Sequence, residues 1–222
     1  LAAMTPAEIR TQITEFILPL RHVAWGANTN NNYIAAYGYG APITSGATMH
    51  MMDQLGIAQY ITRIGLVVND NEPSILDEAK KLWMEHDMWQ PMRKLVEDMM
   101  VTKDWFELFV AQNFVLDGLL FPLVYEHFDQ HAVAKGAAGY SVMTEFMTEW
   151  FGESKRWVDA VMKRAASESE DNKKLISAWT ENWTARSLEA LQPLVVHTFD
   201  NSAEVMEAIQ EELAKRTKKV GL

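Results

Sequence analysis

Residues 104–134 read DWFELFVAQNFVLDGLLFPLVYEHFDQHAVA. Trp105, Phe106, Phe109, Val110, Phe114, Val115, Leu119, Leu120, Leu123 and Val124 surround a helical axis instead of lining one side of it. A helix that is apolar on most sides is a central one, covered by neighbours all round. Unbroken, it would run roughly 45 Å, with a bend expected at Pro122, which removes one backbone donor. Gln112, Asn113 and Asp117 interrupt the apolar stretch 105–128, so no run is expected to be long enough to span a bilayer. Asp117, beside Gly118, needs a buried partner, and Arg63, Arg93 or Arg186 is expected to supply it.

Outward from this core helix the apolar spacing stays helical. In 75–100, Leu76, Ala79, Leu82, Trp83, Met92, Leu95, Val96 and Met99 share one face, and further helices are predicted at 141–167, 172–198 and 202–217. Thr5-Pro6-Ala7-Glu8 reads as an N-cap, a first-turn proline and a capping-box glutamate. Ser74 with Asp77, Asp104 with Glu107 and Asn201 with Glu204 repeat that logic. Turn signals fall at Gly38–Gly40, Asn69–Pro73, Gly136–Gly139 and Asp200–Ser202. No segment alternates as a strand would. The expectation is one all-α domain over 1–222, built of long antiparallel helices.

Composition narrows the function classes. Hydrophobic residues at 48% exclude a disordered chain. A net charge of -10 argues against binding nucleic acid, which needs a basic surface, and against docking on anionic membranes. With no cysteine there is no disulfide, thiolate metal site or iron–sulfur cluster, which fits the cytoplasm. The chain opens at Leu1 and not at methionine, so an N-terminal extension is expected to be missing.

A bundle of long helices raises the question of a metal pair. Carboxylate-bridged di-iron sites take one glutamate from each of two helices and a Glu-x-x-His pair from two others. The residues three before His22, His50, His86, His127, His131 and His197 are Pro19, Ala47, Trp83, Val124, Phe128 and Leu194. None is acidic, so this chain is not expected to bind a di-iron centre in that way. Weaker constellations are His127 and His131 with Glu126 or Asp129, His50 with Asp53, and His197 with Asp200. No Gly-x-Ser-x-Gly or phosphate loop occurs, and Gly38-Tyr39-Gly40 lacks the flanking strand a dinucleotide turn needs.

Residues 21–45 are the most distinctive. Asn28, Asn30, Asn31 and Asn32 are poor helix formers, and buried amides are costly unless fully paired. They form either a polar loop or a hydrogen-bonded seam, inside the subunit or against a partner. The expected interface is Trp25, Asn28, Asn30, Asn31, Asn32, Tyr33 and Tyr37.

The run PLRHVAWGANTNNNYIAAYGYGAPITSGATMHMMDQLGIAQYITRIGL, residues 19–66, resembles the beta subunit of the hydroxylase of bacterial multicomponent di-iron monooxygenases. It resembles phenol hydroxylases most, with toluene, alkene and methane monooxygenases behind. The likeness continues through 75–134 and FGESKRWVDAVMKR at 151–164. It implies a ferritin-like bundle without iron ligands, serving as a non-catalytic subunit in aromatic hydrocarbon catabolism. The implied partners are a di-iron alpha subunit and a small gamma subunit in an (αβγ)2 assembly, with a regulatory protein and a reductase binding transiently. The reductase carries FAD and an iron–sulfur cluster and draws electrons from NADH. The alternative is a stand-alone helical metal-binding or interaction protein.

Overall fold

A computed structural model describes residues 2–222. After a 3-10 turn at Ala2–Met4 come α1 (Ala7–Gln12, widening into a π turn at Ile13–Ile17), α2 (Leu20–Tyr37) and α3 (Ala41–Val68). Then follow α4 (Ser74–Glu85), a 3-10 turn (Asp87–Trp89) and α5 (Gln90–Met100). The central helix α6 spans Trp105–Ala134, and α7 (Ala138–Glu168), α8 (Glu170–Thr198) and α9 (Ser202–Lys219) complete the chain. No strand occurs among the described residues.

The expected core helix is central. Phe109, Val110, Phe114, Val115 and Leu119 have no exposed surface. α2, α7, α8 and α9 pack around it, and α2 and α3 form the most extensive helix pair. Its length and hydropathy are sufficient to cross a membrane, contrary to the sequence reading, but its most apolar window is wholly buried in the bundle. At Pro122 the helix continues and widens into a π turn at Leu123–His127, which absorbs the missing donor. A second π turn, Val110–Leu116, carries Gln112 and Asn113.

Two local expectations are corrected. The single helix over 75–100 is broken, because Pro91 lacks an N–H and its ring excludes the carbonyl four residues earlier. His86 is extended there, and the Gln90 side chain donates to the carbonyls of Trp83 and His86, holding α4 to α5. The first helix takes Pro6 as its N-cap, not Thr5, and α4 begins at Ser74 with Pro73 before it. The Asp104 cap is as expected, accepting from the N–H of Phe106 at 2.8 Å and Glu107 at 3.1 Å. The link between α2 and α3 turns on Gly40, whose φ of 102° suits glycine.

Candidate functional site

The asparagine-rich segment is not a loop. It is the middle of α2, where Asn30 and Asn31 turn onto the π turn of α6. Asn30 Nδ2 donates to Gln112 Oε1 at 2.9 Å. Asn31 and Asn113 exchange two hydrogen bonds, at 2.9 and 2.8 Å, and Asn31 also reaches the Ala27 carbonyl at 2.9 Å. Such pairing outweighs the helix-propensity penalty, about 0.7 kcal/mol or less per asparagine.

The seam converges on Asp117. Its Oδ1 accepts from Gln112 Nε2 at 2.8 Å, and its Oδ2 accepts from Gln54 Nε2 at 3.2 Å and lies 3.1 Å from His50 Nε2. Because Gln112 donates to the carboxylate, its Oε1 is left as the acceptor for Asn30, so one carboxylate orients two amides in sequence. The other His50 nitrogen, Nδ1, lies 3.2 Å from Ser154 Oγ on α7. None of Asn30, Asn31, His50, Gln54, Gln112, Asn113 and Asp117 is more than 4% exposed, so each unpaired atom would carry a full desolvation cost. The arginines expected beside Asp117 lie elsewhere. Arg186 binds Asp98 and Arg93 binds Glu97, while Asp117 takes uncharged amides and an imidazole. The nearest deep cation is Arg216 of α9, whose Nε donates to Asp159 at 2.6 Å and whose Nη1 donates to the Phe114 carbonyl at 3.1 Å. Burial pulls its guanidinium below the ordinary range, while Asp159 opposes that shift. Gly118 leaves room for it, since a Cβ there would lie 2.9 Å from Arg216 Nη1.

Four helices therefore bring two asparagines, a histidine, three further amides, one aspartate and a serine to the bundle centre. That donor set does not fit a di-iron centre, which needs several carboxylates to balance the cations. Among the described residues no group of three or more His, Cys, Asp or Glu is placed to hold a metal. The weaker pairs are also dispersed. His131 Nε2 lies 2.9 Å from Gln12 Oε1, and Asp129 accepts from Ser141. His50 turns to Asp117, while Asp53 accepts from Trp150 Nε1. His197 pairs with Glu15 at 2.8 Å in place of Asp200.

The seven expected interface residues point in different directions. Asn30 and Asn31 face α6 inside the chain, and Asn28 Nδ2 donates to the Met51 carbonyl of α3 at 2.7 Å. Tyr33 donates its hydroxyl to the Lys103 carbonyl, and Tyr37 packs on the Tyr33 ring. Trp25 and Asn32 are exposed. The sequence reading missed His50, Gln54, Gln112, Asn113 and Ser154 as members of the seam. The signal lay in the core helix itself, where three polar residues interrupt a stretch with no solvent-facing side.

The model of the Methane/Phenol/Alkene Hydroxylase family matches residues 1–169. The chain is 41% identical over 222 residues to the oxygenase component DmpL of phenol 2-monooxygenase from Pseudomonas sp. (strain CF600), covering 100% of this chain and 66% of that protein. It is 38% identical over 215 residues to the oxygenase component MhpL from Acinetobacter pittii (strain PHEA-2), covering 97% of this chain and 64% of that protein. The chain thus spans about two thirds of the length of these relatives. The crystal structure of phenol hydroxylase from Pseudomonas sp. OX1 superposes with a TM-score of 0.93 at 41% identity, over 99% of this chain and 66% of that one. Toluene 4-monooxygenase, at 19% identity and a TM-score of 0.77, shares the fold. By sequence and by its ferritin-like helical architecture, the chain belongs to the methane/phenol/alkene hydroxylase family.

Proposed function

We propose that this chain is a non-catalytic structural subunit of a phenol-type monooxygenase hydroxylase, supporting a larger subunit that holds the di-iron centre and hydroxylates an aromatic ring. The observation that carries this reading is the donor set at the bundle centre, where amides and one Asp117–His50 contact stand in place of paired carboxylates. Directional amide pairs specify how four helices meet and offer no redox chemistry. The names of relatives support the subunit role: one is a toluene-4-monooxygenase hydroxylase component subunit beta, another a propane 2-monooxygenase hydroxylase component small subunit. The (αβγ)2 stoichiometry, the NADH-fed reductase with FAD and an iron–sulfur cluster, the transient regulatory protein and a cytoplasmic location belong to the same reading.

The test is iron analysis of the purified hydroxylase after its subunits are separated. Iron should follow the larger subunit and be near zero in this chain. Stoichiometric iron in this chain, retained after dialysis, would overturn the reading. A soluble monomer that joins no larger subunit on co-expression would favour the stand-alone interaction protein instead.

A further inference from the structure

A cleft of about 730 Å³ lies away from the amide seam, where the turn between α2 and α3, the start of α6 and the α7/α8 hairpin meet. Five aromatic rings line it: Tyr39, Trp105, Phe106, Trp157 and Trp179. Tyr39 is 87% exposed, and the other four are half-buried against the core. Rings continue from the cleft into the bundle. Phe106 stacks on Phe109 at 5.6 Å, and Phe109 meets Trp157 edge-on at 5.3 Å.

Gly46 of α3 makes room for Trp157. A Cβ at residue 46 would lie 2.4 Å from the indole, which accounts for a glycine inside a helix that alanine would favour. Trp157 Nε1 is buried and makes no hydrogen bond among the described residues, so shape alone seats the ring. The polar groups of the lining are mostly engaged within the chain. Asp104 Oδ1 accepts two N–H groups of α6, and Arg164 pairs with Glu168 at 3.4 Å. Asn172 Nδ2 donates to the Ala165 carbonyl at 3.4 Å.

We propose that this cleft binds a neutral, flat aromatic molecule of two or three rings. Small-molecule sites are concave, largely apolar and about 300–1,000 Å³ in volume, with a few polar groups at the edge. Aromatic side chains attract a further ring, offset or edge-on, beyond what buried area alone gives. The lining also selects the occupant. A peptide strand would bring backbone N–H and C=O groups against rings with few free partners, a desolvation cost that an aromatic hydrocarbon lacks. The charged lining residues are Asp104, Glu168 and Arg164, two acids to one base, which opposes an aromatic anion. Such a site goes beyond the subunit role proposed above and does not depend on it.

The test is fluorescence titration of the purified protein, together with every subunit that co-purifies. One probe is phenylnaphthylamine, which is neutral and brightens in an apolar site. The other is anilinonaphthalene sulfonate, which has the same three rings and a negative charge. Wild type should bind phenylnaphthylamine saturably and the sulfonate roughly tenfold more weakly. Ala160→Trp, at an exposed lining position, should fill the cleft and lower affinity roughly tenfold or more. Tyr39→Ala removes an exposed ring and should weaken binding roughly threefold. Both variants should keep the helical signal and melting temperature, because both positions face solvent. Val196→Trp, 56% exposed and outside the cleft, should bind as wild type does. Unchanged binding by Ala160→Trp and Tyr39→Ala overturns the site and leaves the subunit reading intact. Equal affinity for the sulfonate overturns the choice of a neutral ligand. Loss of a co-purifying subunit from Ala160→Trp, with no probe bound by wild type, means that a protein fills the cleft and overturns the small-molecule occupant.

Discussion

The hairpins α2/α3 and α8/α9 both bury apolar residues, but only α2/α3 buries a cluster of amides and an imidazole among them. In α9, Val205, Ile209 and Leu213 point inward, and Glu211 and Lys215 pair across one outer turn at 2.9 Å. α8 likewise buries Ile176, Trp183, Leu191 and Leu194. In α2/α3 the inner face carries Asn30, Asn31, His50 and Gln54, while tryptophan and methionines stand outside. The α8/α9 hairpin needs mainly an apolar neighbour. The α2/α3 hairpin needs one particular neighbour, because each inward amide must meet a complementary group at hydrogen-bonding distance, and α6 provides these at Gln112, Asn113 and Asp117. A charged contact breaks the α9 pattern too, where buried Arg216 reaches Asp159 and Phe114.

Removing Asp117 should expose the difference most. Asp117→Ala leaves the donors of Gln54, Gln112 and His50 facing nothing, and is expected to cost roughly 3 kcal/mol or more of unfolding free energy. Chemical denaturation would read this. A loss no larger than that of an exposed α9 substitution would mean the seam is not a stability element. Asn31→Leu should cost about 2 kcal/mol by orphaning Asn113, whereas Asn31→Leu with Asn113→Leu should cost less than the sum of the single changes. Strict additivity in that double-mutant cycle would break the claim that the two amides act as a unit.

The smallest effect is a pH dependence at the edge of the α2/α3 hairpin. His22 is lowered to about 4 by burial, Arg21 and Lys80, so the folded chain binds fewer protons than the unfolded one below the ordinary value of 6.5. Its stabilising contribution is complete above pH 6.5 and fades as the pH falls toward 4. Partial exposure screens the effect to about 1 kcal/mol or less. Melting temperatures of wild type and His22→Asn should converge across that window. Parallel curves would remove His22 as the cause.

Much of the fold was legible because its causes are local. Asp104 caps α6 through neighbouring N–H groups, and the breaks before α3, α7 and α9 fall where glycine, asparagine and aspartate mark them. Glu107, expected to return to its own cap, instead accepts from Trp183 Nε1 of α8 at 3.0 Å, a competition no local spacing reveals. Pro91 was legible and was missed, since apolar periodicity continues through a break that proline enforces. The asparagine segment was legible as a polar interruption, but the direction of each side chain was not. Asn28, Asn30, Asn31 and Asn32 face α3, α6, α6 and solvent in turn, because consecutive helical positions are about 100° apart.

Residue order alone determined that this chain is helical, that α6 is its core, and that no Glu-x-x-His pair exists to hold iron. These properties depend on periodicity, caps and residue identity, which act within a few turns of helix. Only the tertiary structure decided what Asn30, Asn31 and Asp117 do. A buried polar group is stabilising or costly according to the partner opposite it, and those partners lie 82 positions from each asparagine and 63 to 67 from Asp117 on α3.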